Sequence, residues 1–143
     1  MSSKKVQNKN EGQVPANGNT ADVVFPVALV FISLIVLSRL VTKFFLNIDD
    51  DVYFTNNPFI KSLSLDNIKA IFTQPYGGNF HPITTLIEAF EYKFFKLNAS
   101  SYHFVSLIIH LINSVLVFIL AGKFFNKIEF KAIIATIFAL HPM

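Results

Sequence analysis

Cysteine is absent from this 143-residue chain. There is then no disulfide framework, no thiolate metal site and no cysteine nucleophile to consider, and cysteine usage says nothing of the redox compartment. Concentrated charge is missing as well. The formal net charge is only +3, and the lysines are scattered along the chain rather than gathered on one face. Nucleic-acid binding needs such a basic face, so no nucleic-acid partner is expected.

What the chain has is apolar material in blocks. Hydrophobic residues make up 52% of it, 17 of them phenylalanine, and the mean hydropathy is +0.50. A soluble domain of this length spreads such residues periodically, whereas blocks point to a bilayer. Residues 1–22 are polar, rich in Asn and Gly, and lack hydrophobic periodicity, which reads as a disordered cytoplasmic tail. A first apolar block over 23–46 is long enough to span the hydrocarbon region. Its polar lead is long for a signal peptide and no small-x-small cleavage site follows, so an uncleaved signal-anchor helix is expected, with Pro26 in its first turn.

Residues 47–101 are mixed and punctuated by Pro58, Pro75, Gly77, Gly78 and Pro82. SLSLDNIKAIF suggests a short helix. Over 82–97 a stronger pattern appears: proline opens the stretch, and Ile83, Leu86, Ile87, Phe90, Phe94 and Leu97 recur at spacings of three and four. Glu88, Glu91 and Lys93 lie off that stripe. A helix resting on the membrane surface is predicted. A second spanning block covers 102–122, a basic connection follows over 123–130, and a third block begins at 131. Even counted from Phe130, at about 14 residues, the third block offers roughly 20 Å of helix, short of a bilayer. The chain reads as the N-terminal part of a larger all-α multi-pass membrane protein.

Lys4, Lys5 and Lys9, with Lys123, Lys127 and Lys131, favour a cytoplasmic tail and connection. Lys93 and Lys96 before the second span, and Arg39 and Lys43 late in the first, pull the other way, although the long stems of Arg39 and Lys43 let them snorkel to the outer interface. The 47–101 loop then lies outside. This topology gathers Asp49, Asp50, Asp51, His103 and His141 at one membrane face. On the second span His103, Ser106, His110 and Asn113 form a polar stripe. Such groups either hold helices together by hydrogen bonds or line a cavity.

Adjacent carboxylates repel, which poises one of them to take up a proton and suits a general base, although a solvated acidic turn has the same spacing. An EF-hand fails, because its required Gly and Glu positions hold Phe54 and Ile60. A zinc site from His81, His103, His110 and His141 lacks a short-range ligand pair. Asn98-Ala99-Ser100 matches a glycosylation sequon, a motif common by chance.

Taken in order, DDDVYFTNNPFI, GGNFHPIT, SYHFVSLIIHLIN and IFALHPM resemble the N-terminal portion of the transmembrane O-mannosyltransferases with tetratricopeptide repeats and their bacterial relatives, glycosyltransferases of the GT-C type. The likeness covers residues 40–143. Asp49 and Asp50 match the family's acidic pair, with Asp51 an extra carboxylate. His81-Pro82 matches its Arg/His-Pro step, and Ile83 stands where leucine is usual. His103 and His110 match the second-span histidines, and His141-Pro142 the third-span signature. Ser106 replaces the usual asparagine.

The resemblance implies an inverting membrane glycosyltransferase. It moves a sugar, often mannose, from a polyprenyl-phosphate donor to a protein Ser/Thr hydroxyl or a glycan on the non-cytoplasmic face. Asp49 or Asp50 would serve as base, and His81, His103 and His141 would contact donor phosphate or substrate. A divalent metal could assist. The site would face the periplasm in a bacterium, or the endoplasmic reticulum lumen in a eukaryote. Three rival readings are a non-catalytic membrane-anchored protein, a truncated inactive remnant, and a fragment of an ion- or proton-coupled transporter.

Overall fold

The computed structural model describes residues 20–45 and 49–141. The described residues are mostly helical and form no strand, apart from an isolated Tyr76–Asn79 bridge. Five α-helices follow in order: α1 (Thr20–Leu37), α2 (Leu65–Thr73), α3 (Pro82–Phe95), α4 (Ala99–Phe124) and α5 (Ile128–Leu140). Shorter turns lie over Ser38–Leu40, Asp51–Thr55 and Pro58–Ile60, the middle one wound as a π-turn.

α1 with its short extension and α4 are each long and apolar enough to cross a bilayer, at 21 and 26 residues and a mean hydropathy of 2.5. Most of their large side chains face outward. Val23, Val27, Phe31 and Ile35 on α1, and Ile112, Leu116, Ile119 and Leu120 on α4, are all exposed. In water such a surface is unfavourable, whereas lipid solvates it.

Helix ends differ from the expected spans in ways local chemistry explains. Of the tail expected over 1–22, residues 1–19 lie outside the described residues. Thr20–Asp22 instead open α1, where the Asp22 carboxylate meets the positive end of the helix dipole. Pro26 is therefore interior to the helix rather than in its first turn. α1 stops at Leu37, well before residue 46, and the Ser38 hydroxyl donates back to the Ile35 carbonyl at 2.9 Å. The 123–130 connection shrinks to residues 125–127. Lys123 completes the last turn of α4, and α5 starts at Ile128 with Glu129 in its first turn. α3 ends at Phe95, because Lys96 takes φ +54°.

Two cores result. In the bundle, Leu29, Phe118, Ala135 and Ala139 pack together, with Phe25 stacked on Phe118 at 5.4 Å. Buried Ser33, Ser114, Ala121 and Ala135 keep the contacting faces small, the way helices approach one another in lipid. Lys131 donates to Asp22, tying the start of α5 to the start of α1. α1 and α5 therefore run parallel and touch, with α4 antiparallel and packed against both. The second core joins the loop elements, with Ile60, Ile71 and Ala89 flanked by Phe54, Phe59, Leu63 and Tyr92. Asn67 seals it by donating to the Phe59 and Ser62 carbonyls.

Candidate functional site

The acidic run stands at the start of the π-turn. The Val52 and Tyr53 amides donate to the Asp49 carbonyl at 3.0 and 2.9 Å. Asp49 is exposed and Asp50 half-buried. Two aromatic side chains of this turn hold it against the rest of the molecule. Tyr53 packs against the His81 ring with centroids 5.3 Å apart. Phe54 packs edge-on to Tyr102 at 4.9 Å, and Phe45, past the end of α1, touches Phe54, Tyr102 and His103. The acidic turn is thus clamped between His81 on one side and the first turn of α4, with His103, on the other.

The Gly-Gly stretch completes the clamp. Gly77 and Gly78 both adopt positive φ, +60° and +82°, a region glycine enters at no steric cost. At Gly77 a Cβ would stand 3.0 Å from both Tyr53 and Val52. The Tyr53 hydroxyl lies 3.4 Å from the Gly77 carbonyl and accepts from Asn79, while the Tyr76 hydroxyl donates to the Asn56 carbonyl at 3.1 Å. His81 leads into α3, its Nδ1 3.3 Å from the Thr85 hydroxyl.

Behind the clamp, a cavity of about 480 Å³ lies between the end of α1, the first half of α4 and the end of α5. His103, Ser106, His110 and His141 all line it. Buried His103 Nε2 has no hydrogen-bond partner among the described residues. His110 is committed to packing. Its Nε2–H donates to the Ala139 carbonyl at 3.1 Å, and its ring stacks on Phe138. Asn113 lies apart from the other three stripe residues' cavity. It lines a second cavity of about 390 Å³ between α3 and α4, whose wall also includes Ser106 and His110. The polar stripe is therefore cavity lining for most of its length, with His110 also bonding helix to helix.

His103, His110 and His141 are brought together, and Asp49, Asp50 and His81 belong to the outer clamp. The two groups meet through Phe54, Phe45 and Tyr102. Pro142 lies outside the described residues. No group of three His, Asp or Glu residues able to hold a metal ion occurs among the described residues.

Glu88 and Glu91 escaped sequence reasoning. Periodicity sets them off the apolar stripe of 82–97, and a charged position off a stripe reads as solvated. Instead both are buried, 7% exposed, while Ile83, Phe90 and Phe94 of the stripe face outward. The apolar stripe is the outer face of α3, and the carboxylate face packs inward toward Tyr102. Burial pushes both carboxyls up to about 7, with the neighbouring Glu91 charge adding to the effect at Glu88. The available signal was the position of the glutamates beside Ala89 and Tyr92, Glu88 directly before the first and Glu91 directly before the second, both of which enter the loop core. No family model, no curated protein and no solved structure matches this chain.

Proposed function

We propose that this chain is the N-terminal part of an integral membrane glycosyltransferase of the GT-C type. In this reading it takes a sugar, mannose by the resemblance, from a polyprenyl-phosphate donor and gives it to a Ser/Thr hydroxyl on the non-cytoplasmic face. The acceptor oxygen attacks the anomeric carbon, and its proton passes to Asp49 or Asp50. The bond from that carbon to the phosphate oxygen breaks on the opposite side, inverting the centre and releasing polyprenyl phosphate. His81 and His103 hold the departing phosphate by charge-assisted hydrogen bonds. The outward stripe of α3 offers an apolar track for the donor's lipid chain.

The single observation that carries the reading is the clamp. Two carboxylate-bearing residues open a turn whose Tyr53 rests on His81 and whose Phe54 and Phe45 reach Tyr102 and His103. In this reading that shared end of the bundle is where an aqueous acceptor would meet a lipid donor, with base and phosphate ligands both at hand.

The test is transfer of labelled mannose from polyprenyl-phosphate mannose to a Ser/Thr-rich peptide, in membranes expressing the product of the natural gene. Asp49→Asn and Asp50→Asn are compared at matched expression. Loss of a general base lowers the rate by about 10²–10⁴-fold. Undiminished transfer in both variants would sink the assignment.

A further inference from the structure

We propose that the cavity between α3 and α4 binds the primary ammonium head of a membrane lipid, an ethanolamine phospholipid, with Glu88 and Glu91 as its acceptors. Both glutamates line this cavity of about 390 Å³. Each is 93% buried, and Glu88 Oε2 has no hydrogen-bond partner among the described residues. Tyr102, 3% exposed, has a hydroxyl in the same unsatisfied state on the same wall. A buried acceptor left unmade is costly, and two adjacent carboxylates compound the cost by repulsion. No lysine or arginine among the described residues pairs with either glutamate. Two lysines that reach Tyr92, next to Glu91 in the chain, are engaged there: Lys61 donates to the Phe54 carbonyl at 3.1 Å and lies over the Tyr92 ring, and Lys96 lies over the same ring.

The complement this site lacks is a positive group with several N–H donors. The wall favours an amphiphile over a bare ion, because beside its polar groups it presents Phe54, Ile87, Val105, Ile109 and Phe138. Ile87 and Ile109 are also exposed on the outer faces of α3 and α4, at 38% and 39%. The cavity therefore opens sideways onto the surface that lipid solvates. An amphiphile can enter head first, setting its ammonium between the carboxylates and its chains along Ile83, Ile87 and Phe90. The –NH₃⁺ group supplies three donors, enough for both carboxylates and the Tyr102 oxygen. A trimethylammonium supplies none. The proposal does not rest on the glycosyltransferase reading, and an aminolipid seated here would share the outer stripe of α3 with the donor chain placed there in that reading.

Occupancy is tied to protons. The carboxyls titrate near 7, whereas a primary ammonium keeps its charge well above that. The titratable groups that share their cavity are Tyr102 and His110 on α4, and Tyr92, next to Glu91 on α3, carries Lys61 and Lys96 over its ring. Ionised carboxylates hold the ammonium, so binding is strong at about pH 8 and lost as the pH falls through about 7.

The test reconstitutes the full chain in phosphatidylcholine nanodiscs doped with phosphatidylethanolamine or phosphatidylglycerol, and measures lipid retained on extraction by native mass spectrometry. Phosphatidylethanolamine is expected to exceed phosphatidylcholine by about tenfold at about pH 8, as charge-assisted hydrogen bonds of this kind are worth. The preference should vanish in Glu88→Gln/Glu91→Gln and on acidification of the native chain to about pH 5.5. Equal retention of all three lipids overturns the proposal. So does a preference for phosphatidylglycerol, a preference that survives the double substitution, or tight Ca²⁺ or Mg²⁺ binding without lipid discrimination. Glutamine keeps the side-chain shape and removes buried charge, so folding is preserved. The pH arm uses the native chain and stands without the variant.

Discussion

Lys131 donates a hydrogen bond to Asp22 across 109 positions of the chain. The ammonium is largely buried, at 11% side-chain exposure, and it also lies over the Phe118 ring. One contact thereby joins the starts of α1 and α5 beside the end of α4, next to the apolar core those helices share. Removing the carboxylate leaves a buried ammonium without its partner. Asp22→Ala is expected to cost about 2–4 kcal/mol in detergent unfolding, whereas Asp22→Leu/Lys131→Met costs less than the single substitution. Equal losses in both would show the pair to be of no consequence.

A methyl group at Gly77 has nowhere to go. The site has φ +60° and meets Tyr53 and Val52 at 3.0 Å, so Gly77→Ala combines backbone strain with a steric clash. A local cost of about 2–3 kcal/mol is expected, seen as lost hydrogen-exchange protection over residues 51–57. Gly78→Ala shares the positive φ but meets nothing within 4 Å, and should cost about 1 kcal/mol. If the clamp orients the acidic turn for chemistry, transfer activity follows the same order, while the unfolding midpoint of the bundle stays put.

Lys96 closes α3 with φ +54° and ψ −137°, a conformation that strains any residue with a Cβ. Lys96→Gly relieves that strain, though it also removes the cation over Tyr92. The net expectation is a gain of about 0.5–1 kcal/mol in urea or thermal unfolding. A loss of stability would mean that the cation–π contact outweighs the backbone.

The α3 carboxyls make stability depend on pH. Burial raises Glu88 and Glu91 to about 7, so their neutral forms favour the folded state. That contribution is complete below the ordinary carboxyl range and disappears as the pH climbs through about 7. In detergent free of aminolipid, the unfolding midpoint should fall by about 3–6 °C between about pH 6 and pH 8. Glu88→Gln should flatten the profile and raise the pH 8 midpoint. A midpoint that rises with pH would contradict the burial of these groups.

Much of the helical layout was legible in the residues. Apolar blocks announce α1 and α4, Pro82 at the head of a three-and-four stripe announces α3, and Ser64 ahead of LDNIKAIF announces α2, where its hydroxyl accepts from the Asn67 amide. These are local signals, carried by hydropathy and capping within a few turns. Helix ends were less legible, because Ser38, Lys123 and Glu129 act through single hydrogen bonds and dipole contacts that a block of apolar residues does not reveal.

The site divides in the same way. The acidic run, the histidines and the polar stripe are properties of the chain as written, as is the reason such groups avoid lipid. Three-dimensional packing alone decides that Tyr53 rests on His81, that Phe54 reaches Tyr102, and that His103, His110 and His141 share one cavity. The Tyr53, Phe54 and Phe45 contacts join segments some 25 to 60 positions apart, and the histidine cavity needs the ends of α1 and α5 beside α4, for neither of which a local period exists. The reversal of α3 has the same cause. Amphipathicity specifies that a helix has two unlike faces, but only its neighbours decide which face turns inward. Here the contacts of Ala89 and Tyr92 with the loop core turn the glutamate face inward and leave the apolar stripe outside.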